Sequence, residues 1–118
     1  MELRRRLEGA AAGLVYISEG DAPFVYVEPT ERELHPKGAR VQEVSLERFF
    51  AGHVEESDPG DPVAQANVEH FRALQQTLRE SLEEVRVIRV GEVEIRCYIV
   101  GRAASGGLAG LATTAWES

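Results

Sequence analysis

The chain has 118 residues, of which 43% are hydrophobic and 28% charged, a composition typical of folded globular proteins and unlike that of disordered or membrane-embedded ones. This length suits a single domain over residues 1–118. No run approaches the roughly 18 apolar residues of a membrane helix and no signal peptide is evident, so the expected location is the cytosol, away from membranes. The single cysteine, Cys97, excludes an internal disulfide and falls in an alternating strand pattern, which favours a buried hydrophobe over a catalytic thiol.

The net charge of −7 is concentrated in one part of the chain. Val15 to Pro62 holds eleven acidic and four basic side chains, so this span alone carries a net charge of −7. A concentrated negative field repels nucleic acid and attracts basic protein surfaces. The alternative explanation is a solvated surface that keeps the protein soluble. Direct binding to DNA or RNA is disfavoured in either case.

The first third of the chain predicts a helix, a turn and a strand. Leucines and alanines spaced three and four apart predict an amphipathic helix over residues 2–14 that ends near Gly13. Ser18 to Asp21 predict a turn, because serine, glycine and aspartate each favour bends. A preference for turns does not explain the presence of Glu19 at this position. The β-branched and aromatic run from Pro23 to Pro29 predicts a short strand near a sheet edge, since proline cannot donate to a strand ladder.

Two helices are predicted in the middle of the chain, after a polar loop. Ser45 suits the N-cap of a short helix over "SLERFF", whose leucine and two phenylalanines form one apolar stripe. Residues 51–62 are predicted to be a loop. Asp61 followed by Pro62 is a strong helix start, and apolar spacing predicts a long helix from there to about Glu84.

The last third predicts a three-stranded antiparallel meander. Residues 85–90 and 93–100 alternate around a tight turn, and residues 108–116 form a final strand after the glycine-rich turn "RAASGG". The order of helices and strands predicts an α+β fold with a mainly antiparallel sheet. Because the last strand ends two residues before the C-terminus, we expect the Ser118 hydroxyl and carboxylate to be held by structure and available as ligands.

No motif predicts catalysis or a resident cofactor. His35, His53 and His70 lack the spacing of a zinc site, and neither a nucleophile elbow nor a Walker loop is present. His53 beside Glu55 and Glu56 could bind a metal weakly, although such a histidine is more often a solvated loop residue. A carboxylate pair in the last third, Glu92 and Glu94, is expected to be the solvated face of a strand. We therefore expect no metal of its own, no cofactor and no enzyme activity.

Four runs in order resemble the nuclease A inhibitor family, small proteins that block a sugar-non-specific, metal-dependent nuclease. They are "GLVYISEGDAPF" (13–24), "VQEVSLERFF" (41–50), "GEVEIRCYIVG" (91–101) and "GGLAGLATTAWES" (106–118). The resemblance implies an α/β/α sandwich related in shape to the plant pathogenesis-related protein fold. It also implies that Glu19 engages the nuclease active site and that Ser118, at the position of the family's C-terminal threonine, reaches the nuclease's metal ion.

Two functions remain open at this point. The first is a stoichiometric nuclease inhibitor that is a monomer when free and that binds through its acidic turn and C-terminus. The second is a non-inhibitory module that binds another basic protein, which is favoured by the lack of any aromatic anchor in residues 55–62. An enzyme built on the scattered histidines ranks last. The candidate partner-binding residues are Glu19, Asp21, Glu55, Glu56, Asp58, Glu117 and Ser118.

Overall fold

The computed structural model describes residues 2–55 and 60–117. In chain order the elements are α1 (Glu2–Ala11), β1 (Val15–Ile17), β2 (Asp21–Pro23), β3 (Val25–Val27), α2 (Glu31–Leu34), β4 (Val41–Val44), α3 (Leu46–Val54), α4 (Pro62–Ser81), β5 (Glu83–Val90), β6 (Glu94–Arg102) and β7 (Leu108–Trp116). The mixed helix and strand content confirms the α+β class.

The main sheet has five strands in the order β3–β7–β6–β5–β4, and every neighbouring pair is antiparallel. The three long C-terminal strands form its centre, with Tyr98 of β6 opposite Ala112 of β7 and Ile88 of β5. The predicted meander is therefore confirmed. β3 forms one edge, as predicted for the strand between Pro23 and Pro29. β1 and β2 form a separate two-stranded hairpin.

Helices pack on both faces of the main sheet, but unequally. Val87 and Ile99 point to the face covered by α1, α3 and α4, where the larger core lies. Their neighbours Ile88 and Val100 point to the opposite face, as alternation along a strand requires. That face is covered by Leu34 of α2. The second helical layer is thus a single turn, held by a capping box between Thr30 and Glu33.

Several element boundaries differ from the sequence-based predictions. The predicted polar loop after Pro29 contains both α2 and β4, which were not predicted. β4 shows no alternation of apolar and polar residues, because it is a four-residue edge strand whose two central side chains are exposed. α1 ends at Ala11 rather than residue 14, since the backbone of Gly13 adopts a φ of 77° that a helix cannot continue through. α4 has the predicted Asp61 cap but ends at Ser81, short of Glu84.

α3 is longer than predicted and changes the position of a histidine. The helix runs to Val54, through residues that were predicted to be a loop, so His53 lies in its last turn. Ser45 caps the helix by accepting from the Arg48 N–H at 3.1 Å, as predicted. The extension is stabilised by packing, because the His53 ring lies against Phe71 of α4 with 4.8 Å between ring centroids. Tertiary contact, which periodicity does not show, decides this helix end.

Tyr16 ties the β1–β2 hairpin to α3. Its ring stacks on that of Phe49 at 4.3 Å between centroids, and its hydroxyl donates to the Phe49 carbonyl oxygen at 3.1 Å. Burial raises the pKa of the Tyr16 phenol to about 12, so the hydroxyl remains a donor at all ordinary pH values. The hairpin is therefore attached to the core by both packing and a hydrogen bond.

We predict that Tyr16→Phe lowers the free energy of unfolding by about 0.5–1.5 kcal/mol at pH 7, the usual net contribution of one hydrogen bond. Urea denaturation measures this, with Tyr26→Phe as the control because its hydroxyl donates to the exposed Glu28 carboxylate at 2.9 Å. Folding raises the pKa of the Tyr16 phenol from its ordinary value of 10.0 to about 12. The hydrogen bond therefore stabilises the folded protein fully below about pH 10, and this contribution is lost as the pH rises toward about 12. The advantage of wild type over the variant should shrink across that interval; equal effects of the two substitutions at pH 7 would contradict the assigned hydrogen bond.

Candidate functional site

The predicted turn connects β1 to β2 at residues 18–20. The Ser18 N–H donates to the Gly20 carbonyl oxygen at 2.9 Å, and the Ser18 hydroxyl donates to the same oxygen at 3.3 Å. Ile17 and Asp21 face each other across the hairpin immediately before and after the turn. The turn is confirmed, but it is one residue shorter than predicted, since Asp21 already belongs to β2. Glu19 occupies its tip and is exposed.

This turn is hydrogen-bonded to the C-terminal end of β7. The Trp116 N–H donates to the Ser18 hydroxyl oxygen at 2.9 Å, across 98 residues of sequence. The Glu19 N–H donates to the Trp116 carbonyl oxygen at 3.2 Å. The backbone of Glu19 is therefore fixed against the last strand. The structure brings together the turn and the C-terminal segment, which sequence motifs identified separately.

Gly20 is required by the approach of the turn to Trp116. A Cβ atom added to Gly20 would lie 2.9 Å from Cε3 of the indole ring. That is closer than real Cβ atoms come to other heavy atoms, so the turn packs directly on the ring. Trp116, expected from sequence to be a packing residue, is confirmed as one.

The last residue that the structure describes, Glu117, is held by its backbone and its side chain. Its N–H donates to the Val93 carbonyl oxygen at 2.9 Å. Its carboxylate forms an ion pair with Arg89 of β5, whose side chain is only 19% exposed. Arg89 also donates to the Gln42 side-chain oxygen at 3.4 Å. These contacts hold Glu117 against β5 and the turn that follows it.

Three segments thus lie side by side at one end of the sheet: residues 18–20, 92–94 and 116–117. We call them the acidic edge, because their exposed charged side chains are all carboxylates: Glu19, Glu92, Glu94 and Glu117. Glu92 and Glu94 are both exposed, as predicted, but only Glu94 belongs to a strand, because β6 begins there and Glu92 lies in the preceding turn. Val93 at this edge is 64% exposed, and the adjoining Ile17 is 54% exposed. The edge therefore combines negative charge with apolar surface.

Of the other candidate contact residues, Asp21 and Glu55 lie outside this edge. Asp21 is exposed at the start of β2, and Glu55 is exposed directly after α3. Glu56, Asp58 and Ser118 lie outside the described residues. No pattern in the sequence identified Val93 or Ile17, because a single exposed valine or isoleucine at a strand end looks like any other strand residue.

The imidazole of His53 is already hydrogen-bonded within the fold. Its Nε2 accepts a hydrogen bond from the Ile17 N–H at 2.9 Å, and burial lowers the pKa of its imidazole. An engaged Nε2 is not available to bind a metal ion. Within residues 2–55 and 60–117, no three His, Cys, Asp or Glu side chains are grouped to hold a metal. Cys97 is buried, as predicted, and burial raises the pKa of its thiol to about 11, which keeps it protonated.

We predict that Gly20→Ala lowers the free energy of unfolding by about 1–3 kcal/mol, the usual cost of overpacking, and changes the fluorescence of Trp116, the only tryptophan. Gly107→Ala is the control, because a Cβ there meets nothing within 4 Å. The control should leave the fluorescence unchanged and alter stability by less than about 1 kcal/mol. If both variants show the same spectrum as wild type, the turn does not pack on Trp116.

Comparison with known proteins identifies the family of the chain. Among the described residues, no helix combines the length and apolar character needed to cross a membrane. Comparison with the curated proteins gives no match. The sequence model of the family described as "Nuclease A inhibitor-like protein" matches residues 1–118, which is the full sequence. The resemblance carried by the four motifs is therefore confirmed, and the chain belongs to the nuclease A inhibitor-like protein family.

Proposed function

We propose that the protein is a stoichiometric inhibitor of a metal-dependent, sugar-non-specific nuclease and that it inserts the acidic edge into the active-site cleft of that enzyme. Family membership supports nuclease inhibition in general terms. The observation that carries the finer proposal is the bond from the Glu19 N–H to the Trp116 carbonyl oxygen at 3.2 Å. Through it, the two segments expected to contact the nuclease form one surface.

The chemistry of a nuclease cleft suits this surface. A site that binds phosphate oxygens offers cationic side chains and a hard cation, which prefers oxygen ligands. The exposed Glu19 carboxylate can occupy the place of a substrate oxygen, and Ser118 offers a hydroxyl. Because the turn is already fixed by Ser18 and Trp116, binding loses little backbone freedom, and preorganisation of this kind favours affinity.

Exposed apolar residues at the acidic edge can supply the anchor that residues 55–62 lack. Ile17 and Val93, both more than half exposed, adjoin or belong to the edge. Apolar side chains at the centre of an interface exclude water around charged contacts and so strengthen them. A cleft that accepts Glu19 would bury both on complex formation. The absence of an aromatic residue from residues 55–62 is therefore compatible with inhibition.

We predict that Glu19→Gln weakens inhibition by about 2–5 kcal/mol, the usual cost of truncating one partner of a buried charged contact. Removal of Ser118 should have an effect of similar size. The measurement is a titration of each variant into an assay of a sugar-non-specific endonuclease with Mg²⁺. Glu80→Gln is the matched control, because Glu80 is an exposed glutamate on α4, outside the acidic edge. Wild-type potency in both the Glu19 and Ser118 variants would refute this site.

The second candidate, a non-inhibitory module that binds another basic protein, is supported by the spread of acidic charge. The span from Val15 to Pro62 has a net charge of −7, and most of this span lies outside the acidic edge. Affinity capture at low salt, where exposed charges act over longer distances, separates the two candidates. Recovery of a nuclease that the protein inhibits supports the first. Recovery of basic partners none of which is a nuclease supports the second.

A further inference from the structure

We propose that His53 is a positioning residue for the acidic edge: its neutral imidazole holds β1 just before Glu19, and protonation of the ring releases that hold and weakens partner binding. The effect on binding rests on the proposed function. The effect on the turn does not, because it follows from contacts within the chain.

The hydrogen bond to Ile17 fixes the state of the ring. Nε2 of His53 accepts from the Ile17 N–H at 2.9 Å, so this nitrogen carries no proton. In a neutral imidazole the proton must then lie on Nδ1. Nδ1 is buried and has no hydrogen-bond partner within the described part of the chain. An unpartnered buried N–H lowers stability, and an apolar ring at this position would avoid that cost.

The surroundings of the ring are mainly apolar. Tyr16 of β1 stacks on it at 4.6 Å between centroids, Phe71 of α4 lies at 4.8 Å and Phe50 of α3 at 6.4 Å. Such an environment disfavours the imidazolium, and burial accordingly lowers the pKa of His53 below its ordinary value of 6.5. The ring is thus neutral at pH 7 and becomes charged only in acid.

The titratable groups around His53 do not offset the effect of burial on its pKa. From β1 comes the Tyr16 phenol, which is neutral and donates to the Phe49 carbonyl oxygen. From α4 comes Arg72, which donates to the Val54 carbonyl oxygen at 3.3 Å and pairs with Glu69. On the chain that leaves α3, Glu55 is exposed. Glu56 and Asp58 lie outside the described residues.

Protonation turns the acceptor into a donor. Nε2–H would face the Ile17 N–H, so the bond is lost while a charge is placed among aromatic rings. Ile17 directly precedes the turn, and β1 has only three residues. The pKa of His53 is lower in the folded protein than in the unfolded chain. The bond to Ile17 therefore stabilises the fold above about pH 6.5, and this contribution is lost as the pH falls through the folded-state pKa of His53. The hairpin that carries Glu19 loosens in the same interval.

The first test needs no partner. Nitrogen-15 NMR of the full chain between pH 7.5 and 5 should show His53 with an unprotonated Nε2 at the upper limit. Exchange of the Ile17 amide, corrected for the intrinsic effect of pH, should accelerate by about tenfold or more as the ring titrates. His53→Gln keeps a side-chain carbonyl acceptor that does not titrate, so protection of Ile17 should become independent of pH. His70→Gln, an exposed histidine of α4, is the control and should behave as wild type.

The second test measures inhibition of a sugar-non-specific endonuclease with Mg²⁺ at pH 7.5 and 5.5. Each variant is compared with wild type at the same pH, which cancels the pH dependence of the enzyme. The potency of wild type relative to His53→Gln should fall about tenfold between pH 7.5 and pH 5.5, whereas the potency of His70→Gln relative to wild type should be the same at both pH values. His53→Phe, which keeps a ring but has no acceptor, should be weak at both pH values.

The outcomes separate the two proposals. If Ile17 exchange does not follow the titration of His53, or if His53→Gln keeps the wild-type pH dependence of exchange, the positioning role is wrong. If exchange behaves as expected but the nuclease is inhibited at neither pH, the proposed function fails while the hold on Ile17 stands. If inhibition is strong and His53→Gln shows the same potency profile as wild type, the inference fails and the function stands. Should His53→Phe not fold, the comparison of wild type with His53→Gln decides.

Discussion

The hydrogen bonds between Trp116 and the Ser18–Gly20 turn join a small hairpin to the main sheet, and the candidate site depends on them. The hairpin strands have three residues each, too few for a stable pair in water. The end of β7 supplies the Trp116 N–H to the Ser18 hydroxyl and accepts from the Glu19 N–H. β7 also holds the hairpin through the Thr113 hydroxyl, which donates to the Ala22 carbonyl oxygen at 3.3 Å, while the bonds of Ser18 and Glu19 with Trp116 join the turn itself to the end of β7.

The rest of the structure holds the two sides of that junction in place. On one side, β7 is the central partner of β3 and β6, and its register with β6 continues to Trp116. On the other side, the hairpin is attached to α3 through Tyr16 and His53. α3 in turn packs on α4 in the larger core. The acidic edge is therefore carried by elements from both ends of the chain, and binding energy need not be spent on ordering it.

The sequence predicted those elements whose signal is long and periodic. α4 and the C-terminal meander have many regularly spaced apolar residues, and the Asp61-Pro62 start is a local signal that tertiary packing does not override. The hairpin β1–β2, the single turn of α2 and the edge strand β4 were not predicted. Three or four residues cannot establish a period. β4 and the hairpin form because β5 and β7 offer them hydrogen bonds, whereas α2 is held by its own capping box and by the burial of Leu34.

The candidate site was predictable only in part, for a similar reason. Glu19 was identified from the resemblance of its motif, and the turn from its serine and glycine. The contact between that turn and Trp116 spans 98 residues, a separation at which spacing patterns carry no information. His53 was assigned to a loop because the helix that contains it continues through a glycine, a residue of low helix propensity. Its bond to Ile17 follows from the packing of α3 on the hairpin.

Hydrogen–deuterium exchange of the protein alone and in complex with a sugar-non-specific, metal-dependent nuclease tests most directly whether the turn and the C-terminal strand act as one contact surface. We predict that protection on binding is concentrated in residues 18–20, 92–94 and 116–117 together. Protection confined to one of the three segments, or located on the exposed side of α4 with the turn unchanged, would contradict it.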